Sequence, residues 1–219
     1  MILIRLILFD LDGTLIEFTL DYKAQRDAVR SLAGSLGVNL KAGTIHDMLS
    51  EFREADPNDY QPFKSRVFET LKKYELSAPT ANMSRSTAGL LRRLKAKYLI
   101  GVVTNNCREM LDRFLSGSPV SFDVSISRED TGELKPAPDA LLLAMKRANC
   151  TAEQTIMVGD SIIDIRAADA AGIRSIAYLG GFGSKSIALG GPDYMIGELS
   201  MLPSVLKMVD NDVARAKFL

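Results

Sequence analysis

The chain carries no net charge, because 27 basic side chains face 27 acidic ones. Nucleic-acid binding depends on a basic footprint, so the balance argues against nucleic acid as the main partner. Cysteine is scarce: Cys107 and Cys150 are the only two, without CxxC spacing. They read as free buried thiols in a reduced cytosolic setting, and a cytoplasmic location is the expectation. The N-terminal apolar run is too short to span a membrane, acids follow it at once, and no signal-peptide cleavage region accompanies it. No membrane partner is therefore expected. Histidine is almost missing, and the one copy, His46, falls in a helical stretch. It reads as a surface position, with a substrate contact as the alternative. Internal repeats and low-complexity segments are absent.

What the chain does have is 219 residues, 47% of them hydrophobic, enough for one domain plus a modest insertion. The run Ile2-Leu3-Ile4-Arg5-Leu6-Ile7-Leu8 predicts a strand buried on both faces. It ends in Phe9-Asp10-Leu11-Asp12-Gly13-Thr14-Leu15, two acids and a Gly-Thr turn, which is poor packing and good chemistry. Three more segments match it. Tyr98 to Val103 is a second strand and ends at Thr104-Asn105-Asn106. Leu134-Lys135-Pro136 precedes a helix from about Asp139 to Ala148. Thr155 to Val158 is a third strand and ends at Gly159-Asp160, with Asp164 four residues on. In an open parallel sheet, ligands bind beyond the carboxyl ends of the strands, so these pieces are expected to converge on one crevice.

The region from Ile16 to Met83 is different. Its apolar residues recur at helical spacing (Ala28, Leu32, Leu36; Ile45, Met48, Leu49, Phe52; Phe63, Val67, Phe68, Leu71). Gly37 and Asp56-Pro57-Asn58 mark helix ends. The rest alternates: a helix over Ser86 to Lys97, a strand over Ile173 to Leu179, then Gly180-Gly181-Phe182-Gly183-Ser184, a short strand over Asp193 to Ile196, and a helix over Leu199 to Val209. The prediction is an α/β fold, a Rossmann-like parallel sheet with helices on both faces (residues 1–15 and 84–219), carrying a small α-helical cap domain (residues 16–83).

With Asp10-Leu11-Asp12-Gly13-Thr14, Thr104-Asn105, Lys135-Pro136 and Gly159-Asp160 with Asp164 occurring in that order, the chain resembles the haloacid dehalogenase-like hydrolases. Val158 to Ile165, continuing to Ala170-Ala171-Gly172, is similar to their phosphoglycolate-phosphatase-like branch. The resemblance implies a phosphatase acting on a small phosphorylated metabolite through an aspartyl-phosphate, with Mg2+ as cofactor; the sequence leaves the assembly open between a monomer and a homodimer.

The residues carry that chemistry as follows. Asp10 is the expected nucleophile, able to attack a phosphate ester only if the charge around phosphorus is neutralised. Magnesium, which prefers oxygen ligands, would take the carboxylates of Asp10 and Asp160, and the resemblance implies the backbone carbonyl of Asp12 as a third ligand. Asp12 is the expected general acid and base. Lys135 is expected to bridge Asp10 and a phosphate oxygen, against the alternative of a solvated surface lysine. Thr104 offers a hydroxyl and Asn105 a backbone or side-chain donor to the substrate phosphate, while Thr-Asn after a strand also suits a helix N-cap. Asp164 is assigned to the magnesium waters or to Lys135, with helix N-terminal charge as its alternative. In the cap, Arg26, Arg30, Arg53 and Arg66 could reach a substrate anion or simply be solvated.

Competing functions differ at named positions. A dehalogenase needs no second acid in the first motif, so Asp12 favours phosphoryl transfer. A phosphonate hydrolase would need a Schiff-base lysine, for which Lys23 or Lys64 would have to serve. A sugar-phosphate mutase would keep both acids. A regulatory binding protein on a retired phosphatase fold conflicts with the intact set Asp10, Asp12, Lys135 and Asp160.

Overall fold

The computed structural model describes residues 4–17, 20–79, 82–181 and 184–216. In chain order its elements begin with β1 (Leu6–Phe9), α1 (Tyr22–Gly34), α2 (Ile45–Ala55), α3 (Tyr60–Ser77), α4 (Arg85–Lys95), β2 (Leu99–Val103), α5 (Arg108–Gly117) and β3 (Val124–Ile126). They continue with α6 (Arg128–Thr131), α7 (Asp139–Ala148), β4 (Thr155–Gly159), α8 (Ile162–Ala170), β5 (Arg174–Tyr178), α9 (Ser184–Ile187), β6 (Tyr194–Ile196) and α10 (Leu202–Ala216). The chain divides into two compact units, Met1–Phe18 with Thr80–Leu219, and Thr19–Pro79.

The first unit is a parallel six-stranded sheet in the order β3-β2-β1-β4-β5-β6. β1 lies between β2 and β4, with Leu6 opposite both Leu99 and Thr155. Successive side chains of a strand point to opposite faces, and here both faces are covered. Ile7 and Phe9 join Leu90, Leu91 and Leu94 of α4 and Leu202 and Leu206 of α10 in one core. Leu6 and Leu8 join Ala140, Leu141 and Ala144 of α7 and Ala167 and Ala168 of α8 in the other. A strand buried on both sides reads as an unbroken apolar run, which is why β1 was visible in the sequence. Strand order reverses beside β1: the chain first builds β2 and β3 on one side, then returns to build β4, β5 and β6 on the other. That reversal opens a crevice at the carboxyl ends of β1, β2 and β4.

Several boundaries differ from expectation. The strand begins at Leu6, and Ile2 and Leu3 lie outside the described residues, as do Phe182 and Gly183 of the glycine-rich stretch. β3 and α5 were not anticipated. β3 is a three-residue strand at the sheet's edge with Ser125 at its centre, too short and too polar to show a period. The C-terminal helix starts with a 3-10 turn at Leu199–Met201 and runs past the expected end. Among the described residues no helix is long and apolar enough to cross a membrane. Cys107 is buried, Cys150 half-buried, and both are free thiols.

The second unit is helical. The side chains of Asp21 and Thr44 accept from the Ala24 and Asp47 N–H groups and so cap α1 and α2. Phe52 of α2 stacks on Phe63 of α3 with ring centroids 3.7 Å apart. Met48, Val67 and Leu71 are buried with them. The periodicity read from the sequence matches the packing stripe of α2 and α3, but not that of α1, which buries Gln25, Val29 and Ala33 while Leu36 lies beyond its end and is exposed.

Candidate active site

The site is built where β1, β2 and β4 end. Asp10 follows β1 and still donates its backbone N–H to the Val158 carbonyl of β4 at 2.9 Å. The chain then turns, and the Leu15 and Ile16 N–H groups donate to the Leu11 carbonyl. Gly13 has φ +84°, and a Cβ there would stand 2.4 Å from Asp160 Oδ2. Only glycine meets both demands, the left-handed backbone and the close approach. The turn therefore lies against the end of β4, and the Thr14 hydroxyl donates to Asp160 Oδ1 at 3.2 Å.

Asp164 sits in the first turn of α8. Its Oδ2 accepts from the Ser161 N–H and hydroxyl at 3.2 and 2.7 Å, completing a capping box. Its Oδ1 accepts from Lys135 Nζ at 2.7 Å. The two readings of Asp164, helix terminus and partner of Lys135, both hold. Gly159 lets it come close, since a Cβ at that position would meet Asp164 Cβ at 2.4 Å.

Lys135 is not a surface lysine. It is 2% exposed, and its ammonium donates to Asp10 Oδ1 at 2.5 Å, to Asp164 Oδ1 at 2.7 Å and to the Val103 carbonyl at 3.0 Å. An ammonium has three donors, so each has an acceptor within the protein. Burial alone would lower its pKa, but the charges of Asp10 and Asp164 outweigh this and raise it. Burial pushes the Asp10 carboxyl well above the usual carboxylate range; Lys135 opposes that shift, and Asp164, Asp160 and Asp12 add to it.

Oxygen atoms of Asp10, Asp160 and Asp164 lie within 4.8 Å of one another, and all three residues are buried. One ammonium offsets three carboxylates incompletely. Hard oxygen donors with surplus negative charge suit a small divalent cation such as magnesium. The Asp12 carboxylate stands apart from this group. Its Oδ2 accepts from Asn106 Nδ2 at 2.5 Å.

Thr104 is buried beyond the end of β2. Its hydroxyl oxygen accepts from the Asn106 N–H at 3.1 Å. The helix that follows begins later, with Cys107 as its N-cap, so Thr104 is not the cap. The Asn105 side chain clasps the Lys135 backbone: Nδ2 donates to the Lys135 carbonyl at 3.1 Å, and the Lys135 N–H donates to Oδ1 at 2.8 Å. That amide is committed to the protein rather than left as a donor to substrate. Asn106 and Arg128 were not singled out from the sequence. Arg128, 1% exposed, donates from Nη1 to the Asn105 carbonyl at 2.9 Å and from its backbone N–H to the Asn106 carbonyl at 3.2 Å. The adjacent pair of asparagines at a strand end was a visible signal; Arg128 follows a strand the pattern did not reveal.

The remaining candidates belong to the helical unit. Arg53 lies 4.3 Å over the Tyr60 ring and donates to its hydroxyl at 2.6 Å. Arg30 reaches Asp27 and the Ala42 carbonyl. Lys23 pairs with Asp27 in solvent, and Lys64 is buried near the Tyr60 and Phe68 rings. Arg26 and His46 are half-buried and Arg66 is exposed.

The profile of the family described as haloacid dehalogenase-like hydrolase matches residues 7–178. The chain belongs to this family. Among named relatives, a phosphoglycolate phosphatase of Xylella fastidiosa is 32% identical, covering 82% of each chain. The pyrophosphatase PpaX of Bacillus velezensis is 28% identical, covering 90% of this chain and 93% of its own. Among solved structures, CbbY from Rhodobacter sphaeroides superposes with a TM-score of 0.59 at 21% identity, covering 89% of this chain and 94% of that one. At that identity the likeness bears on the fold alone.

Proposed function

We propose that this chain is a magnesium-dependent phosphatase that hydrolyses a small phosphate monoester through an aspartyl-phosphate on Asp10. Its family and relatives make it a phosphate-hydrolysing enzyme; the metal, the intermediate and the residue roles are our reading. The observation that carries it is the cluster of Asp10, Asp160 and Asp164 around Lys135, with Asp12 held separately. Two carboxylates two residues apart have different neighbours and hence different tasks.

Asp10, Asp160 and the backbone carbonyl of Asp12 would hold the ion, with Asp164 behind them. When bound, the ion neutralises charge on the phosphoryl oxygens. Asp10, fixed by Lys135, attacks phosphorus. The leaving alkoxide takes a proton from Asp12. Asp12 then accepts a proton from water, which attacks the phosphorus of the aspartyl-phosphate and frees Asp10 and phosphate. The Thr104 hydroxyl accepts from Asn106 and so keeps its own proton to donate to a phosphate oxygen. Lys135 acts by charge, since its donors already have acceptors. The helical unit Thr19–Pro79 serves as the cap that selects the substrate.

The relatives' names set the substrate panel: phosphoglycolate, pyrophosphate and a range of sugar and alkyl phosphates, each with magnesium and with a chelator. The expected result is metal-dependent phosphate release from one or a few of these, and acid-stable labelling distinct from Asp10 in none. Turnover that survives chelation, or phosphate trapped on a residue other than Asp10, would overturn the reading.

A further inference from the structure

We infer that the adjacent residues Asn105 and Asn106 are positioning residues with separate tasks, Asn106 for the proton-transferring Asp12 and Asn105 for Lys135. The inference rests on the proposed phosphatase reading and divides one short loop between its two parts. The geometry is direct. Asn106, 4% exposed, gives its side-chain N–H to Asp12 Oδ2. Asn105 makes two hydrogen bonds to the backbone of Lys135. Asn105 and Asn106 lie in the bend that follows β2, and their side chains end on different groups, so one loop serves both. Their backbone is fixed from behind, because Arg128 holds the carbonyls of both asparagines and Thr104 receives the Asn106 N–H.

The two contacts act on different steps. Asp12 must aim one oxygen at the leaving-group oxygen, and later at the attacking water. A carboxylate with free torsions would spend little time so aimed, and the Asn106 bond removes that freedom. Lys135 must keep its ammonium against Asp10 and Asp164. Its backbone sits in a loop after α6, and the Asn105 amide pins that loop to the end of β2. Loss of Asn106 should therefore be felt in proton transfer. Loss of Asn105 should be felt in charge neutralisation, whatever the leaving group.

The test compares Asn105→Ala and Asn106→Ala, with Asn106→Ser as a second variant too short to span to Asp12, and Asp12→Asn as reference. Each is assayed with an alkyl phosphate and with nitrophenyl phosphate, whose phenolate leaves without a proton. Inorganic phosphate is the competitive probe, and thermal unfolding checks that each variant folds. For both Asn106 variants we expect kcat on the alkyl ester to fall about tenfold or more, as is usual when an orienting partner is removed, with the nitrophenyl ester affected several-fold less in the release of phenol. For Asn105→Ala we expect an equal loss on both esters and weaker inhibition by phosphate. A leaving-group dependence unchanged from the parent in the Asn106 variants, while Asp12→Asn shows it, would overturn the inference alone. An Asp12→Asn variant in which first-turnover release of the alcohol and of nitrophenol is slowed equally would overturn the acid–base reading beneath it.

Discussion

Asp10 and Asp12 sit two residues apart and are held by opposite kinds of partner. Asp10 touches a cation and shares its surroundings with two further carboxylates; Asp12 accepts from a neutral amide. The first arrangement sets a cation against Asp10 that opposes the rise burial gives its carboxyl, and the second holds Asp12 through an uncharged donor. Asp10→Asn keeps the shape and removes the attacking charge. Turnover is expected to fall at least ~10³-fold, the scale of losing a group that reacts, and steady-state assay with a small ester would show it; near-parental activity would remove Asp10 from the mechanism. Lys135 makes a different prediction because it is buried between two acids. Lys135→Met strands those charges, and removing one partner of a buried pair costs about 3–5 kcal/mol. Urea unfolding with a chelator present should read that loss. A change under about 1 kcal/mol would mean that the two pairs contribute little to stability.

At the scale of elements, strand ends do the positioning. Asp10, Thr104 and Asp160 each stand just past the last residue of β1, β2 and β4, and the apolar runs that form those strands made these positions legible before any coordinates. The Gly-Thr turn was legible too, but not its contact: that Thr14 donates to Asp160, 146 residues away, follows only from the pairing of β1 with β4. What escaped notice has a common cause. β3 is short, at an edge, and carries Ser125 between its two buried residues, so no period marks it, and with it went Arg128 and the support of Asn105. Asn106 reads in the sequence only as part of a strand end, since a side chain that serves another residue leaves no motif of its own. In the helical unit the pattern marked the buried positions of α2 and α3, Phe52 and Phe63 among them, but not the stripe of α1, whose buried residues include the polar Gln25. Phe63 is fully buried, so Phe63→Ala is expected to cost about 3–5 kcal/mol. Hydrogen exchange should show α1, α2 and α3 losing protection while β1, β2 and β4 keep theirs. Equal loss in the sheet would argue that the two compact units unfold as one.

For the whole molecule, the acidic cluster joins positions from Asp10 to Asp164 and exists only when β1, β4 and α8 are assembled. The unfolded chain scatters these carboxylates, so a divalent ion binds the folded state in preference and stabilises it by mass action. The gain is about 2.7 kcal/mol at a concentration a hundred times Kd. Thermal unfolding should therefore move upward with magnesium and keep moving as the concentration rises. Asp160→Asn sharpens the test. The amide oxygen can still accept from Thr14, and one negative charge leaves a cluster in which a single ammonium faces three carboxylates. Without metal the variant should thus be as stable as the parent or more so, because like charges at close range oppose folding. With magnesium it should lose most of the upward shift. A merely structural Asp160 would behave the other way, lowering stability in chelator and leaving the metal-induced shift intact. If the parent protein shows no shift at millimolar magnesium, or if the variant's shift equals it, the cluster is not a magnesium site and the metal-dependent step must be withdrawn.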